Sequence, residues 1–232
     1  MLVYGRNVAK EILKKDEKIK KIIIQKDFSD KEILSLIEKR KLKPEIMDKN
    51  DFSRFAKFSH QGIILDIGNF AYSEVEEMIS DPDSFVVILD HLEDPHNLGA
   101  IIRTCEAAGV NGIIIPKDRS VSVNATVMKT SAGALENMKI AMVTNLLQVI
   151  NKLKKENFWI VGTDMDNSTD YREIDYSGKI ALVIGNEGNG ISKSVHDACD
   201  FIAKIPMYGK INSLNASVAA GIMIYEVIRS KK

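Results

Sequence analysis

Two polar loops near the end of the chain, the first of them rich in glycine, contain the residues best suited to chemistry. The first, 185–190, reads Gly-Asn-Glu-Gly-Asn-Gly, and the second, 206–215, ends in Asn-Ser-Leu-Asn. Glycines allow a tight turn whose backbone N–H groups face a ligand, and Glu187 adds one negative charge. Each loop also has an ordinary interpretation, because glycine turns join many strands to helices and Ser or Asn caps many helices.

An apolar strand precedes each of these loops. Residues 181–184 run into the first loop, and residues 201–205 run into the second, which opens a closing helix that ends at about Arg229. In a parallel sheet the carboxyl ends of the strands meet at one edge, where open α/β sheets bind their ligands. We therefore expect the chemistry at that edge.

From Ser84 onward, strand and helix patterns alternate, which predicts a parallel α/β sheet with helical crossovers. The first strand is not followed by a GxGxxG sequence, and no GxxxxGK[ST] sequence occurs, so the common dinucleotide and P-loop sites are excluded. Besides 181–184 and 201–205, the predicted strands are 85–89, 112–115, 140–143 and 159–162. The predicted helices are about 96–108, 122–134, 145–156, 191–198 and 214–229.

The helix near residue 96 contains two further candidates, Asn97 and Arg103. The pair 94–95, Asp-Pro, is suited to cap this helix. Gly99 is predicted to share a face with Arg103 and to leave room for a phosphate or for another backbone. The ordinary interpretation of Arg103 is a surface ion pair with Glu106.

Histidines and carboxylates are concentrated between the first strand and this helix, at Asp90, His91, Glu93, Asp94 and His96. They suggest a metal site only weakly, because two histidines separated by four residues, with no distal third ligand, match no known site spacing. A polar loop is the favoured interpretation, and no catalytic metal is expected.

Residues 1–67 form a predicted small α/β unit with an excess of positive charge. Residues 1–70 contain sixteen Lys and Arg against eleven Asp and Glu. This excess fits RNA binding and fits a lysine-rich surface that keeps a small domain soluble equally well. The predicted strands are 19–25, 43–47 and 63–67; the predicted helices begin near Asn7, after a capping box at 29–32, and at a cap on Asn50, the last helix carrying Phe52, Phe55 and Phe58.

The whole composition is that of an ordinary soluble protein, with 45% hydrophobic and 28% charged residues. No apolar run approaches the length of a membrane span and no signal peptide is apparent, so we expect a cytoplasmic protein. Cys105 and Cys199 have no CxxC spacing, which fits a reducing compartment.

Three motifs, taken together in this order, resemble those of the SpoU (TrmH-like) RNA ribose 2′-O-methyltransferases. They are Asn97-x-Gly-x-Ile-x-Arg103, the loop 185–190, and Ile205-Pro-Met207 followed by Ser213-Leu-Asn215. The resemblance covers nearly the whole chain and divides it into an RNA-binding domain at 1–70, a linker at 71–83 and a methyltransferase domain at 84–232. Within the family, the chain most resembles members that methylate a guanosine of large-subunit (23S) ribosomal RNA.

The resemblance implies a fold and a cofactor. The C-terminal domain is expected to be a SPOUT-type parallel sheet tied in a deep trefoil knot, and the N-terminal domain a ribosomal-protein-like RNA-binding module. S-adenosyl-L-methionine is expected to bind in the knot, and an obligate homodimer is expected. The cofactor contacts are expected from backbone groups around Gly185, Ile205 and Leu214, with Thr163, Asn186 and Met207 nearby.

The resemblance also assigns catalytic roles. Arg103 is expected to reach the RNA, either as the base for the ribose hydroxyl or as a ligand for the adjacent phosphate and developing oxyanion. Two other functions stay open: a transfer-RNA ribose methyltransferase, and a non-catalytic RNA-binding or ribosome-assembly factor on the same fold. The residues expected to orient Arg103, the ribose and the cofactor are Asn97, Glu187, Ser213 and Asn215.

Overall fold

The chain forms two compact units, Met1–Ala71 and Tyr72–Lys232, in a computed structural model. Of the predicted features, Phe58 and position 189 of the first loop lie outside the described residues. The structure describes residues 1–14, 19–55, 60–165, 168–188 and 190–231.

The first unit is a small α/β unit, as predicted, and its sheet has four strands where three were expected. Its strands have the order β1-β4-β2-β3, in which only the β2–β3 pair among the described strands is parallel. The short β1 was not predicted, because three residues at an edge carry little periodicity. The elements are β1 Leu2–Tyr4, α1 Arg6–Lys14, β2 Lys21–Gln25, α2 Lys31–Lys39, β3 Glu45–Met47, α3 Lys49–Phe52 and β4 Ile63–Asp66.

Two predicted caps of the first unit were wrong by one or two residues. Asp30, not Ser29, caps α2, and its carboxylate accepts a hydrogen bond from the Ile33 amide at 3.3 Å. Asp48, not Asn50, precedes α3. Neighbouring Ser, Asp and Asn residues are all good caps, so sequence alone does not separate them.

The second unit alternates strands and helices as predicted. Its one unpredicted strand, β9, has two residues. The elements are β5 Phe85–Leu89, α4 Pro95–Ala108, β6 Gly112–Pro116, α5 Ala125–Thr130, β7 Ile140–Val143, α6 Leu146–Lys155, β8 Phe158–Thr163, β9 Thr169–Asp170, β10 Lys179–Ile184, α7 Lys193–His196, β11 Phe201–Lys204 and α8 Ala216–Lys231.

Every strand pair of the second sheet is parallel, in the order β7-β6-β5-β10-β8-β11-β9, which confirms the predicted fold class. The central strands β5 and β10 are buried along their apolar runs, as expected when helices cover both faces. Because β10, β8 and β11 are neighbours, their carboxyl ends bring three chain segments to one edge of the sheet. Loops 185–190 and 206–215 begin at this edge.

Two segments differ from the expected pattern. The predicted helix 122–134 is shorter, because Ala132 and Gly133 have positive φ values of 51° and 91° and end the helical geometry. The segment predicted as a linker contributes Val75, Met78 and Ile79 to the core of the second unit. Among the described helices, none is both long enough and apolar enough to cross a membrane.

Candidate active site

A cavity of about 330 Å³ lies at the carboxyl ends of β8, β10 and β11. Loops 185–190 and 206–215 both contribute to its wall, as predicted from their positions after β10 and β11. The lining residues are Thr163, Asp164, Met165, Ile184, Gly185, Asn186, Glu187, Gly188, Gly190, Ala203, Ile205, Met207, Asn212, Ser213, Leu214, Ala216 and Ala219.

The first loop folds back on itself. Asn186 and Gly190 exchange two backbone hydrogen bonds, of 3.0 and 3.2 Å. A β-carbon at Gly185 would lie 2.1 Å from the carbonyl carbon of Gly190, and Gly190 itself has a φ of 65°. The two limbs of the loop therefore approach so closely that glycine is required at Gly185, and a left-handed conformation favours glycine at Gly190.

Hydrogen bonds from distant parts of the chain fix this loop. The amide of Asn97 donates to the Glu187 carboxylate, and the buried carboxylate of Asp90 accepts from the Ser192 amide at 2.6 Å. Asn97 is itself only 6% exposed. The tip and the exit of the loop are thus tied to α4 and to the end of β5.

Helix α4 begins and ends where the sequence predicts. Asp94 accepts from the His96 amide at 2.8 Å, Pro95 occupies the first turn, and Gly109 ends the helix with a φ of 75°. Asn97 and Arg103 are six residues apart, which separates them by about 9 Å along the axis and by roughly 120° around it. Arg103 consequently lies on a different face of α4 from Asn97 and is exposed.

The ordinary interpretation of Arg103 is not supported. Arg103 is exposed and forms no ion pair with Glu106, whose carboxylate accepts from the side-chain amide of Asn137 at 3.2 Å. Gly99 accommodates the Thr130 side chain and not a phosphate, because a β-carbon there would lie 1.8 Å from Thr130 Oγ1. Close packing of α4 on α5 explains that glycine.

The second loop leads into α8 through Asn215. The Asn215 carboxamide oxygen accepts from the Ser217 amide at 2.9 Å and from the Val218 amide at 3.4 Å, which is capping geometry. Ser213 is exposed and Leu214 is 37% exposed, and both face the cavity. Asn215 is not one of the residues that line the cavity, and its carboxamide oxygen caps α8.

The charge of the cavity is negative. Asp164 and Glu187 line it, and no lysine or arginine appears among the described lining residues. Backbone groups and apolar side chains such as Ile205, Met207 and Leu214 supply the rest of the wall. A cavity of this volume and lining suits a small, cationic and partly apolar ligand, which is the chemistry of a sulfonium nucleoside.

Three of the five histidines and carboxylates in residues 90–96 contact other protein groups. His91 Nδ1 lies 2.6 Å from the Asp90 carboxylate, and Asp94 caps α4. Within the described ranges, no group of three His, Cys, Asp or Glu residues is arranged to hold a metal ion. Burial raises the pKa of the Cys105 thiol far above its usual range, so that thiol is not a nucleophile.

Comparison with known families follows the same division of the chain. The model described as the SpoU rRNA methylase family matches residues 84–225, and the model described as RNA 2′-O ribose methyltransferase substrate binding matches residues 2–73. The chain belongs to the SpoU methyltransferase family. SpoU methyltransferases use S-adenosylmethionine, so this chain is an S-adenosylmethionine-dependent RNA methyltransferase.

Individual SpoU relatives agree over nearly the full length. A Staphylococcus saprophyticus protein, named as a member of the TrmH family of tRNA/rRNA methyltransferases, is 44% identical over 239 residues, covering 100% of this chain and 96% of the relative. An AdoMet-bound rRNA methyltransferase from Sinorhizobium meliloti has a TM-score of 0.78 at 28% identity, covering 98% and 86%. The SpoU methyltransferase AviRb from Streptomyces viridochromogenes, in complex with AdoMet, has a TM-score of 0.81 at 24% identity, covering 100% and 91%, and supports the fold.

The structure gathers most of the predicted site residues of this SpoU protein, but not all. Eight of them line the cavity: Gly185, Ile205, Leu214, Thr163, Asn186, Met207, Glu187 and Ser213. Asn97 contacts the cavity through Glu187, Asn215 lies beside it, and Arg103 is not among its lining residues. Asp164 also lines the cavity and was not predicted, although its place directly after β8, at the edge used by the other loops, was an available signal.

Proposed function

We propose that this SpoU protein transfers a methyl group from S-adenosylmethionine to a ribose 2′-hydroxyl of RNA, and that the nucleotide is a guanosine of large-subunit (23S) ribosomal RNA. The proposal rests on the negatively charged cavity between loops 185–190 and 206–215, with the Asn97–Glu187 contact at its rim. The match of residues 2–73 to a substrate-binding domain supports RNA as the acceptor.

The cavity residues hold the cofactor in this proposal. Backbone groups of Gly185, Ile205 and Leu214 contact it, and the carboxylates of Asp164 and Glu187 complement its positive charge. When bound, S-adenosylmethionine supplies an electrophilic methyl group on a sulfonium. Thr163, Asn186 and Met207 complete the wall, with the Thr163 hydroxyl held by the Val183 carbonyl at 3.0 Å.

Polar residues at the rim orient the ribose. Asn97 fixes Glu187, Ser213 presents an exposed hydroxyl, and Asn215 presents its NH₂ group. A ribose hydroxyl is a weak acid, so in-line placement and help in losing its proton supply most of the rate. Arg103 binds the neighbouring phosphate and stabilises the developing oxyanion, since a guanidinium gives up its proton only with difficulty.

The orientation of Arg103 favours a homodimer. Because Arg103 is exposed and lies on a different face of α4 from Asn97, it serves an RNA bound across the interface with a second copy. Helix α8 supports this arrangement, since Val218 is 50% and Tyr225 is 53% exposed on a predominantly apolar helix. We also propose that the second unit contains the trefoil knot expected of this family.

Ribosomal RNA is favoured over transfer RNA by the separate, positively charged first unit. The relatives are named for both substrates, so the names do not separate them. The experiment is transfer of radiolabelled methyl from S-adenosylmethionine to large-subunit RNA without modifications and, in parallel, to transfer RNA. Ribose-methylation-sensitive primer extension then locates the product.

Arg103→Ala is the matched variant, with Arg103→Lys to separate charge from the planar guanidinium. We expect label on one large-subunit ribose, its loss in Arg103→Ala, and unchanged cofactor binding by calorimetry. Near-normal turnover of Arg103→Ala removes Arg103 from the mechanism. Label on transfer RNA alone makes the protein a transfer-RNA enzyme, and failure to bind S-adenosylmethionine makes it a non-catalytic RNA-binding factor.

A further inference from the structure

The first unit has a cavity of its own, of about 670 Å³. The start of α1, the end of β2, the turn before α2 and the turn into β4 form its walls. Most of its lining side chains are polar, so it differs from the partly apolar cavity of the second unit. The lining residues are Arg6, Asn7, Lys10, Gln25, Asp27, Phe28, Asp30, His60, Gln61 and Gly62.

The guanidinium of Arg6 forms a flat platform in this cavity. Its central carbon lies 5.4 Å from the centre of the Phe28 ring, and its Nε donates to the Gln61 carbonyl at 3.3 Å. Gly62 also packs closely on Phe28, since a β-carbon at Gly62 would lie 3.1 Å from an atom of that ring. The Arg6 guanidinium thus lies beside an aromatic ring and is itself exposed, so it is accessible to a planar ligand.

The guanidinium of Arg6 interacts electrostatically with the Asp30 carboxylate but forms no ion pair with it. Arg6 is exposed and forms no ion pair with a carboxylate of the described residues, whereas Lys10 is paired with Asp30 at 3.3 Å and with Glu32 at 2.7 Å. Arg6, whose guanidinium is planar, is thus the cation of this cavity that is available to a ligand. A guanidinium stacks on bases and also donates to their edges, which an ammonium group cannot do.

Hydrogen-bonding groups suited to a base edge surround the platform. The side chains of Asn7 and Gln25 form no hydrogen bond with another described residue. His60 Nδ1 accepts from the Gly62 amide at 3.0 Å, which leaves Nε2–H as the donor of the neutral ring. Amide and imidazole groups are the ones that recognise the polar edges of unpaired bases.

The backbone at the back of the cavity is held in an uncommon conformation. Gln61 has a φ of 50°, and its side-chain oxygen accepts from the Arg6 amide at 2.9 Å. Gln61 thereby fixes Arg6 twice, through its side chain and through its carbonyl. A non-glycine residue in the left-handed region carries a conformational cost that is common at binding sites.

We propose that this cavity binds one unpaired nucleobase of the RNA substrate, stacked on the Arg6 guanidinium and read at its edge by Asn7, Gln25 and His60. The proposal rests on the proposed function, because it assumes that RNA is the acceptor. It adds the place and the chemistry of recognition in the first unit. A base held in a duplex cannot enter, so the cavity selects RNA with an exposed base.

The experiment measures binding of the full-length protein to the RNA that the wild type methylates, or to unmodified large-subunit RNA if it methylates none. Fluorescence anisotropy gives Kd, and steady-state methyl transfer gives KM for RNA and kcat. Single-stranded and duplex RNA of one mixed sequence serve as competitors. Photo-crosslinking of 4-thiouridine-substituted RNA, followed by peptide mass spectrometry, identifies the contacted segment.

The variants are Arg6→Ala, Arg6→Lys and Arg54→Ala. Arg54 is the matched control, because its guanidinium also lies over a phenylalanine, 5.2 Å from the centre of the Phe55 ring, and it does not line the cavity. We expect Arg6→Ala and Arg6→Lys each to weaken RNA binding about tenfold and to raise KM for RNA, which is a typical loss for one stacked base. Cofactor affinity and kcat at saturating RNA stay unchanged, and Arg54→Ala binds as the wild type does.

The expected crosslink lies in the peptide 27–31, which contains Phe28, and only single-stranded RNA competes. Wild-type binding by Arg6→Lys would overturn stacking and leave a phosphate contact. Equal behaviour of Arg6→Ala and Arg54→Ala, or equal competition by duplex RNA, would overturn the site. If the wild type methylates no RNA and yet crosslinks at 27–31, the proposed function fails while the base site stands.

Discussion

The buried carboxylate of Asp90 accepts the backbone amide of Ser192 at 2.6 Å, across 102 residues of sequence. Asp90 is 1% exposed, follows β5 and also contacts His91 Nδ1 at 2.6 Å. Ser192 lies two residues after the end of loop 185–190. The contact therefore fixes the exit of that loop to the centre of the sheet.

Replacing Asp90 tests this anchor. Asp90→Ala leaves the Ser192 amide without its acceptor, so we expect a loss of roughly 1–3 kcal/mol in the free energy of unfolding. S-adenosylmethionine affinity should fall as well, because the loop lines its cavity. Asp90→Asn is the control, since its amide oxygen can still accept from Ser192. Urea denaturation and calorimetry measure the two effects; equal affinity of Asp90→Ala and wild type contradicts the anchor.

Gly185 and Gly188 differ sharply although they belong to one loop. A methyl group at Gly185 collides with Gly190, whereas at Gly188 its nearest neighbour is Asn186 Oδ1 at 3.8 Å. We expect Gly185→Ala to separate the two limbs of the loop, lower the unfolding temperature and weaken S-adenosylmethionine binding at least tenfold. Gly188→Ala should keep the unfolding temperature of the wild type. Thermal unfolding and calorimetry decide, and a stable, cofactor-binding Gly185→Ala would show that the loop is not tightly closed.

Gly99 tests the packing of the helix that carries Asn97 and Arg103. Its added methyl group would overlap Thr130, so Gly99→Ala should cost roughly 1–3 kcal/mol in the free energy of unfolding. Gly209→Ala is the matched control, because nothing lies within 4 Å of its added methyl group. Chemical denaturation measures both. If both variants are as stable as the wild type, α4 and α5 are not in close contact at Gly99.

The sheet and the location of the site were predictable from sequence because apolar strands and polar loops alternate. Each long strand of the second unit was found where its Val- and Ile-rich run predicts. The edge position of the two loops then followed from the parallel connections. The two loops were therefore accessible to sequence reasoning, and the family resemblance added Gly185 and Leu214 as expected cofactor contacts.

Long-range side-chain contacts could not be predicted in the same way. Nothing in the local pattern indicates that Asp90 holds Ser192, or that Gly99 is small because of Thr130. Periodicity places a residue on an element but does not say which side chain of another element it meets. The distinction between a catalytic asparagine and a capping one at Asn215 has the same origin, since both uses favour the same residue type.

Asp170 and Arg172 form an ion pair next to the strand that leads into the second loop. Arg172 Nη2 lies 2.6 Å from one Asp170 oxygen and Nε lies 2.9 Å from the other, while the backbone at Asp170 pairs with β11. The hydrogen bonds from the Arg172 side chain and backbone lower the pKa of Asp170 to about 2. The carboxylate thus remains charged in the folded protein at a pH where it is protonated in the unfolded chain.

This pair predicts a pH-dependent contribution to stability. A lowered pKa in the folded state stabilises the fold fully above the unfolded pKa, and that contribution is lost as the pH falls from about 4 towards 2. Asp170→Asn should therefore be less stable than the wild type at pH 6, with a difference that shrinks below pH of about 4. The Arg172 side chain is 54% exposed, so salt should also reduce the difference.

Urea unfolding of wild type, Asp170→Asn, Arg172→Ala and the double variant, between pH 6 and 3, isolates the pair from other titrating carboxylates. In the Arg172→Ala background, Asp170→Asn should produce little pH-dependent change, because the cation that lowers the pKa is gone. A difference between wild type and Asp170→Asn that grows as the pH falls would show that the pair does not stabilise the charged form. Asp170 lies beside β11, and β11 leads directly into the loop that lines the cavity. We therefore expect the Asp170 and Arg172 variants to bind S-adenosylmethionine more weakly at neutral pH.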